Sequence, residues 1–211
     1  MDNNHAMQMA IKYATEKQFN LAENVLRNII VSNDKFHPAF HMLGQLAFQN
    51  GQDEVAAQYY HKAASLDENI PQYHLDFAES LYYLGKQQEA IIAVNRSLKL
   101  NAKNPKAHFI AGNALMNIGE NIQAKKAFFQ TVKLDPNNDF AYNNLGTLYE
   151  IENEIDKAKE NYQNAININK RNVVALNNLA TILIAEGNLE KAKELLNEAI
   201  RIQPDYILAH N

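Results

Sequence analysis

Seven histidines and a set of paired amides are the side chains in this sequence with chemistry to offer. His37 and His41 stand four residues apart, the spacing at which two imidazoles on one helix face can share a metal ion. No carboxylate or third histidine accompanies them on the same helix, so they read as a helix-start residue and a groove-facing residue. Asn143-Asn144 and Asn177-Asn178 offer uncharged donors and acceptors of the kind that grip a peptide backbone. Asn95-Arg96-Ser97 matches a glycosylation acceptor but falls within a predicted helix, and no secretory signal is visible. With no cysteine, the chain has no disulfide, no thiolate metal site and no Cys nucleophile. No GxSxG, HExxH or CxxC occurs. The chemistry present is that of binding; the reading is a non-enzyme with no cofactor and no metal.

The elements that position these residues emerge from residues 139–172. Ala141, Tyr142, Leu145, Leu148 and Tyr149 form one apolar stripe at helical spacing, and Ala158, Tyr162, Ala165 and Ile166 form a second. Glu152-Asn153-Glu154 lies between them as a polar turn, so the stretch reads as a helix–turn–helix hairpin. Its 34-residue length steps across the whole chain, giving frames at 3–36, 37–70, 71–104, 105–138, 139–172 and 173–206. Position 20 is Ala22, Ala56, Ala90, Ala124, Ala158 and Ala192 in turn. Every glycine falls at position 8 (Gly44, Gly112, Gly146) or position 15 (Gly51, Gly85, Gly119, Gly187). The prolines Pro38, Pro71, Pro105, Pro136 and Pro204 mark frame junctions. Small residues at positions 8 and 20 let two helices cross closely, and bulk at position 24 (Leu26, Tyr60, Val94, Phe128, Tyr162, Leu196) fills the space beside them. Glycine at position 15 is placed to end the first helix in a left-handed conformation. Because the repeat uses every glycine, no phosphate-cradling loop remains. His74, His108 and His210 share position 4 with Phe40, Tyr142 and Leu176, and read as flat packing residues.

The pattern resembles the tetratricopeptide repeat (TPR): an aromatic at position 4, Leu-Gly at 7 and 8, Tyr at 11, Ala at 20, an aromatic at 24 and Pro at 32. Tyr142, Leu145-Gly146, Tyr149, Ala158 and Tyr162 match it in frame five, and Pro136 fills the last position of the preceding frame. The resemblance covers residues 3–206 and implies one domain spanning 1–211, an all-α, right-handed superhelical solenoid of six hairpins. Residues 207–211 read as the start of a seventh repeat. Frame one is the poorest match, with Ala6 for an aromatic, Lys17 for glycine and Asp34 for proline, as expected of a capping unit.

On this fold the binding surface is the concave side, reached by positions 2, 5, 9 and 12 of each first helix. These are His41, Gln45 and Phe48; then Gln72, Leu75, Glu79 and Tyr82; then Lys106, Phe109, Asn113 and Met116. Frame five gives Phe140, Asn143, Thr147 and Glu150, and frame six gives Val174, Asn177, Thr181 and Ile184. Family members that clamp a chaperone's terminal carboxylate use cations at positions 5, 2 and 6. Here Asn113 and Asn144 match the clamp's two amides, but Phe109, Val174 and Asn178 stand where its cations belong. Asn144 and Asn178 at position 6 resemble instead the asparagine ladder in the superhelix of O-linked N-acetylglucosamine transferases. The resemblance thus implies a scaffold binding an extended peptide or protein segment, or alternatively the substrate-recruiting part of a longer enzyme such as a glycosyltransferase.

Composition limits the partners further. The net charge is −4, and residues 139–211 hold the whole imbalance, with no basic, aromatic-studded stripe for nucleic acid. No apolar run approaches membrane-spanning length, and the N-terminus lacks signal-peptide character, so a cytoplasmic location is the default expectation. Leu189, Leu196, Ile200 and Ile202, followed by Ile207 and Leu208, leave the last hairpin apolar where a terminal repeat needs a polar face. That predicts self-association through the C-terminal repeat, or continuation into a longer solenoid.

Overall fold

The computed structural model describes residues 2–204, and among these every regular element is a helix. First helices of 13 residues alternate with second helices of 14: α1 (Asn3–Thr15), α2 (Phe19–Ser32), α3 (His37–Gln49), α4 (Asp53–Leu66), α5 (Pro71–Tyr83) and α6 (Gln87–Leu100). The pattern continues through α7 (Pro105–Asn117), α8 (Asn121–Leu134), α9 (Asp139–Ile151), α10 (Ile155–Ile168), α11 (Val173–Ala185) and α12 (Leu189–Ile202). Each first helix begins at position 1 of its frame and each second helix at position 17. The chain forms two compact units that divide between Ile118 and Gly119, inside the fourth frame. The first unit holds α1–α7 and the second α8–α12. The seventh-repeat residues 207–211, with His210, lie outside the described residues.

Turn chemistry fixes each hairpin. Gly51, Gly85, Gly119 and Gly187 adopt φ between 70° and 79°, the left-handed conformation that ends the first helix. Lys17 and Asn153 occupy the same slot at φ 60° without glycine's freedom. The next residue's N–H reaches back five positions to close the helix, as from Gln52 to Ala47 O at 2.9 Å and from Asn188 to Leu183 O at 2.8 Å. Between hairpins, position 31 supplies a second device that the glycines and prolines do not announce. Asn33, Asp67, Asn101, Asp135 and Asn169 each accept the N–H two residues on through their side-chain oxygen, at 3.0–3.2 Å. Asn104, Asn138 and Asn172 then cap α7, α9 and α11 by accepting from the third residue of each helix. Six of the chain's asparagines are therefore punctuation.

Helix crossings set the core. The position-20 alanines are fully buried or, at Ala192, 1% exposed. At position 8 two solutions alternate. A Cβ built on Gly44 would lie 2.6 Å from the Tyr60 ring, and one on Gly146 would lie 2.5 Å from the Tyr162 ring. These tyrosines are 3% and 1% exposed, so the ring occupies the volume that a methyl group would take. The sequence follows this exchange throughout. Glycine at position 8 accompanies an aromatic at 24 (Gly44/Tyr60, Gly112/Phe128, Gly146/Tyr162), whereas alanine accompanies an aliphatic residue (Ala10/Leu26, Ala78/Val94, Ala180/Leu196).

The apolar end of the last hairpin is partly covered. Leu196, Ile200 and Ile202 pack at the edge of the core that holds Leu176, Leu179 and Leu183, while Leu189 stays 61% exposed. Ile207 and Leu208 lie outside the described residues.

Two predictions follow from these contacts. Gly146→Ala forces its new methyl group into the buried Tyr162 ring. The overpacking penalty of about 1–3 kcal/mol outweighs the roughly 1 kcal/mol that alanine gains in a helix interior. Tyr162→Leu alone opens a cavity, but the Gly146→Ala/Tyr162→Leu double variant recreates the Ala180/Leu196 pairing. It should be more stable than the sum of the single changes by about 1 kcal/mol or more in urea unfolding; strict additivity would refute the exchange. Separately, Lys17→Gly should raise stability by about 1 kcal/mol by relieving a left-handed lysine. Asn153→Gly should gain less, since asparagine tolerates that conformation.

Candidate functional site

The predicted groove residues lie on the first helices, and each unit presents its own set. In the first unit α3, α5 and α7 carry them. Gln45 is exposed, while His41, Phe48, Glu79, Tyr82, Phe109, Asn113 and Met116 are half-buried. Leu75 departs from the expected set: at 1% exposure it belongs to the core, while Glu79 and Tyr82 on the same face of α5 stay half-buried. Tyr83, which the periodicity left aside, is 61% exposed, and its ring lies 5.7 Å from Phe48 and 5.4 Å from Tyr82. Lys106 of α7 donates to Glu79 of α5 at 2.7 Å, so these two charges neutralise each other across the face.

Beneath this face lies a polar knot that the sequence did not reveal. Asp76, 8% exposed, accepts from His41 Nε2 at 2.7 Å on one oxygen and from Gln72 Nε2 at 2.6 Å on the other. The His41 ring lies 4.6 Å from that of Tyr73, whose hydroxyl is 2.8 Å from His37 Nδ1. The two histidines spaced like metal ligands thus go to separate partners on α5. Burial, helped by the nearby Asp76 and Glu79 charges, pushes the Tyr60 phenol above its ordinary range.

The second unit presents α9 and α11. Asn143 is 8% exposed, while Asn144, Thr147, Asn177 and Asn178 are half-buried and Thr181 is exposed. Asn178 Nδ2 donates to Asn143 Oδ1 at 3.2 Å, and Asn143 Nδ2 donates to Asn144 Oδ1 at 3.4 Å. The amides therefore link two adjacent first helices through Asn143, and Asn144 and Asn178 do not bond as equivalent rungs. Thr147 and Thr181 each return their hydroxyl to the carbonyl four residues back, that of Asn143 and Asn177. Tyr162 passes over Gly146 to donate to Glu150 at 2.8 Å on the same face. Burial foremost raises this phenol too.

The position-4 histidines have a more specific role than packing. His74 Nε2 lies 2.9 Å from Glu68 O and His108 Nε2 lies 2.9 Å from Ala102 O, in each case six residues back. A carbonyl only accepts, so Nε2 carries the proton and the ring clamps the turn before its own helix. His210 lies outside the described residues.

A groove of ≈ 820 Å³ opens elsewhere, between α4, α5 and α6, and shares no residue with the predicted set. Phe77 lies within it 5.2 Å from the His61 ring, and the Arg96–Glu68 pair at 2.6 Å lies at its side. Ala64 leaves room for it: position 28, where it stands, holds Ile30, Leu98, Val132, Ile166 or Ile200 in the other frames. The small residue at position 28 is the sequence signal for this groove.

The Asp76 knot yields a test. His41→Leu leaves a buried carboxylate with one donor fewer and should lower stability by about 1–3 kcal/mol. Adding Asp76→Leu should recover part of that loss, since replacing both polar partners by apolar ones costs less than orphaning one. Urea unfolding of the two variants decides; a double variant that loses more than His41→Leu alone would contradict the geometry.

Comparison with known proteins places the fold. Three family models described as tetratricopeptide repeat match residues 37–70, 127–160 and 151–211, together more than half the chain. No curated protein matches by sequence. Among solved structures, PilF of Pseudomonas aeruginosa superposes with a TM-score of 0.83 at 16% identity, over 99% of this chain and 95% of that one. MamA from Desulfovibrio magneticus RS-1 gives 0.72 at 21% identity, over 82% and 98% of the two chains. YrrB, described as a TPR protein with an unusual peptide-binding site, gives 0.69 at 22% identity, over 88% and 95%. At these identities the likeness is one of fold. Together with the frame-by-frame helices and the glycine, alanine and aromatic positions that build them, it makes this chain a member of the tetratricopeptide repeat family, with that family's all-α fold of stacked helix hairpins.

Proposed function

We propose that this protein is a non-catalytic interaction scaffold that binds an extended protein segment on its first-helix faces. The observation that carries the reading is the row of amides, hydroxyls and aromatic rings left at those faces after the core is satisfied. Asn144, Thr147, Asn177, Asn178 and Thr181 are uncharged and at least partly accessible. Phe48, Tyr82, Phe109 and Met116 add apolar surface in the other unit. Neutral amides suit a peptide backbone, whose groups need a donor and an acceptor in turn, and rings suit its side chains. The peptide-binding site in the description of YrrB agrees with this use of the fold. No helix among the described residues is long and apolar enough to cross a membrane, which fits the cytoplasmic location we propose.

The Asn178–Asn143–Asn144 linkage favours a second reading, in which these repeats recruit substrates for a longer enzyme such as a glycosyltransferase. Ordered amides on neighbouring first helices would hold a substrate backbone without regard to its sequence.

An array of unstructured peptides, read by fluorescence, tests the proposal. Tyr82→Ala/Phe109→Ala addresses the first unit and Asn177→Ala/Asn178→Ala/Thr181→Ala the second. Binding should fall at least about tenfold in one set, equivalent to one or two lost hydrogen bonds or an apolar contact, with helicity unchanged. Peptide binding indifferent to both sets would reject the first-helix faces as the site.

A further inference from the structure

The last hairpin ends in a surface that repeats, one step further on, an interface found inside the second unit. Lys159 of α10 pairs with Glu186 beyond α11 at 2.6 Å, and one frame earlier Lys125 of α8 pairs with Glu152 beyond α9. Lysine at position 21 thus meets glutamate at position 14 of the next frame. An apolar seam accompanies the later of these pairs. Ile166, at position 28, is buried in one cluster with Leu176 and Leu179, which hold positions 4 and 7 of the following frame. Frame six carries the same outgoing residues, Lys193 at position 21 and Ile200 at position 28. Lys193 is exposed and has no ion pair among the described residues, and Ile200 is only half-buried.

The first hairpin carries the receiving residues. Its position 14 is Glu16, exposed and held only loosely by Lys12 at 4.0 Å. Its positions 4 and 7 are Ala6 and Met9, which with Val25 and Ile29 line a groove of ≈ 370 Å³. In frame six these positions face the second helix of the preceding hairpin, as Leu176 and Leu179 share a cluster with Ile166.

We propose that the occupant of this groove is a second copy of the chain. The sixth hairpin of one molecule docks on the first hairpin of the next, with Ile200 seated against Ala6 and Met9 and Lys193 paired with Glu16. The charge complementarity is that of the two internal junctions, in the same frame register. The apolar groove supplies the affinity, and the exposed ion pair selects the alignment, since such pairs contribute little by themselves. The two surfaces differ, so the contact is heterologous, and each added copy leaves one of each still available.

Sedimentation equilibrium of the full chain at low ionic strength, where exposed charges are least screened, provides the test. The average mass should rise with concentration beyond that of a dimer. Lys193→Glu and Glu16→Lys each set like charges against one another and should weaken association about two- to fivefold. Both positions are exposed, so circular dichroism should be unchanged. An equimolar mixture of the two variants restores an opposite pair at every junction and should regain wild-type association. A monomer at all concentrations would assign the α12 surface to some other partner and overturn the proposal. Association that neither variant weakens, or that the mixture fails to restore, would also overturn it.

Discussion

Everything in this molecule depends on how closely two helices can cross within a hairpin. A side chain of one helix must fill the space above position 8 of the other, and that space has a fixed size. Glycine leaves room for a tyrosine ring to lie on the backbone, as Tyr60 does on Gly44 and Tyr162 on Gly146. Alanine claims part of that room, and a leucine or valine completes it. Close packing makes the two residues one choice, because an unfilled gap and an overfilled one both cost stability. The tyrosine solution has a consequence beyond the core. A ring that crosses over glycine carries its hydroxyl to the first-helix face, where Tyr162 bonds Glu150. The packing rule thereby decides which hairpins place a buried phenol beneath the first-helix face.

The junctions repeat with equal strictness but by polar means. An Asn or Asp at position 31 folds the chain back, asparagine caps start three of the first helices, and His74 and His108 clamp the carbonyls before theirs. These local bonds hold successive hairpins in register, and register is what brings Asn178 to Asn143 and His41 to Asp76, 35 residues apart in each case. On the first-helix face of the first unit, Lys106 and Glu79 neutralise each other. The same register, carried past the last hairpin, leaves Lys193 and Ile200 at the edge of the second unit.

The frame, the twelve helices among the described residues and the buried alanines were legible in the sequence, because each depends on residues a few positions apart. The positive φ at position 15 was equally legible through its glycines, and Lys17 and Asn153 show that the turn holds where glycine is absent. The candidate face was legible only in part. A helical period places position 5 on one side of every first helix, yet Leu75 is core and Asn143 is nearly so, while His41 and Phe109 are half-buried. The period gives an average direction. How deep a given position lies depends on the neighbouring helix, which the period does not contain.

By itself, then, the sequence determined the hairpin, its turns and its 34-residue repeat, since hydrophobic spacing and backbone freedom act over a single turn or hairpin. Tertiary structure alone decided that His37 and His41 take separate partners and that Asp76 lies beneath the face with two donors. It also decided that a groove opens between α4, α5 and α6, with the Phe77 and His61 rings 5.2 Å apart within it. In each instance the outcome rests on side chains from different hairpins meeting at distances of a few ångströms. No spacing along one helix encodes such a distance; the packing of one repeat on the next creates it.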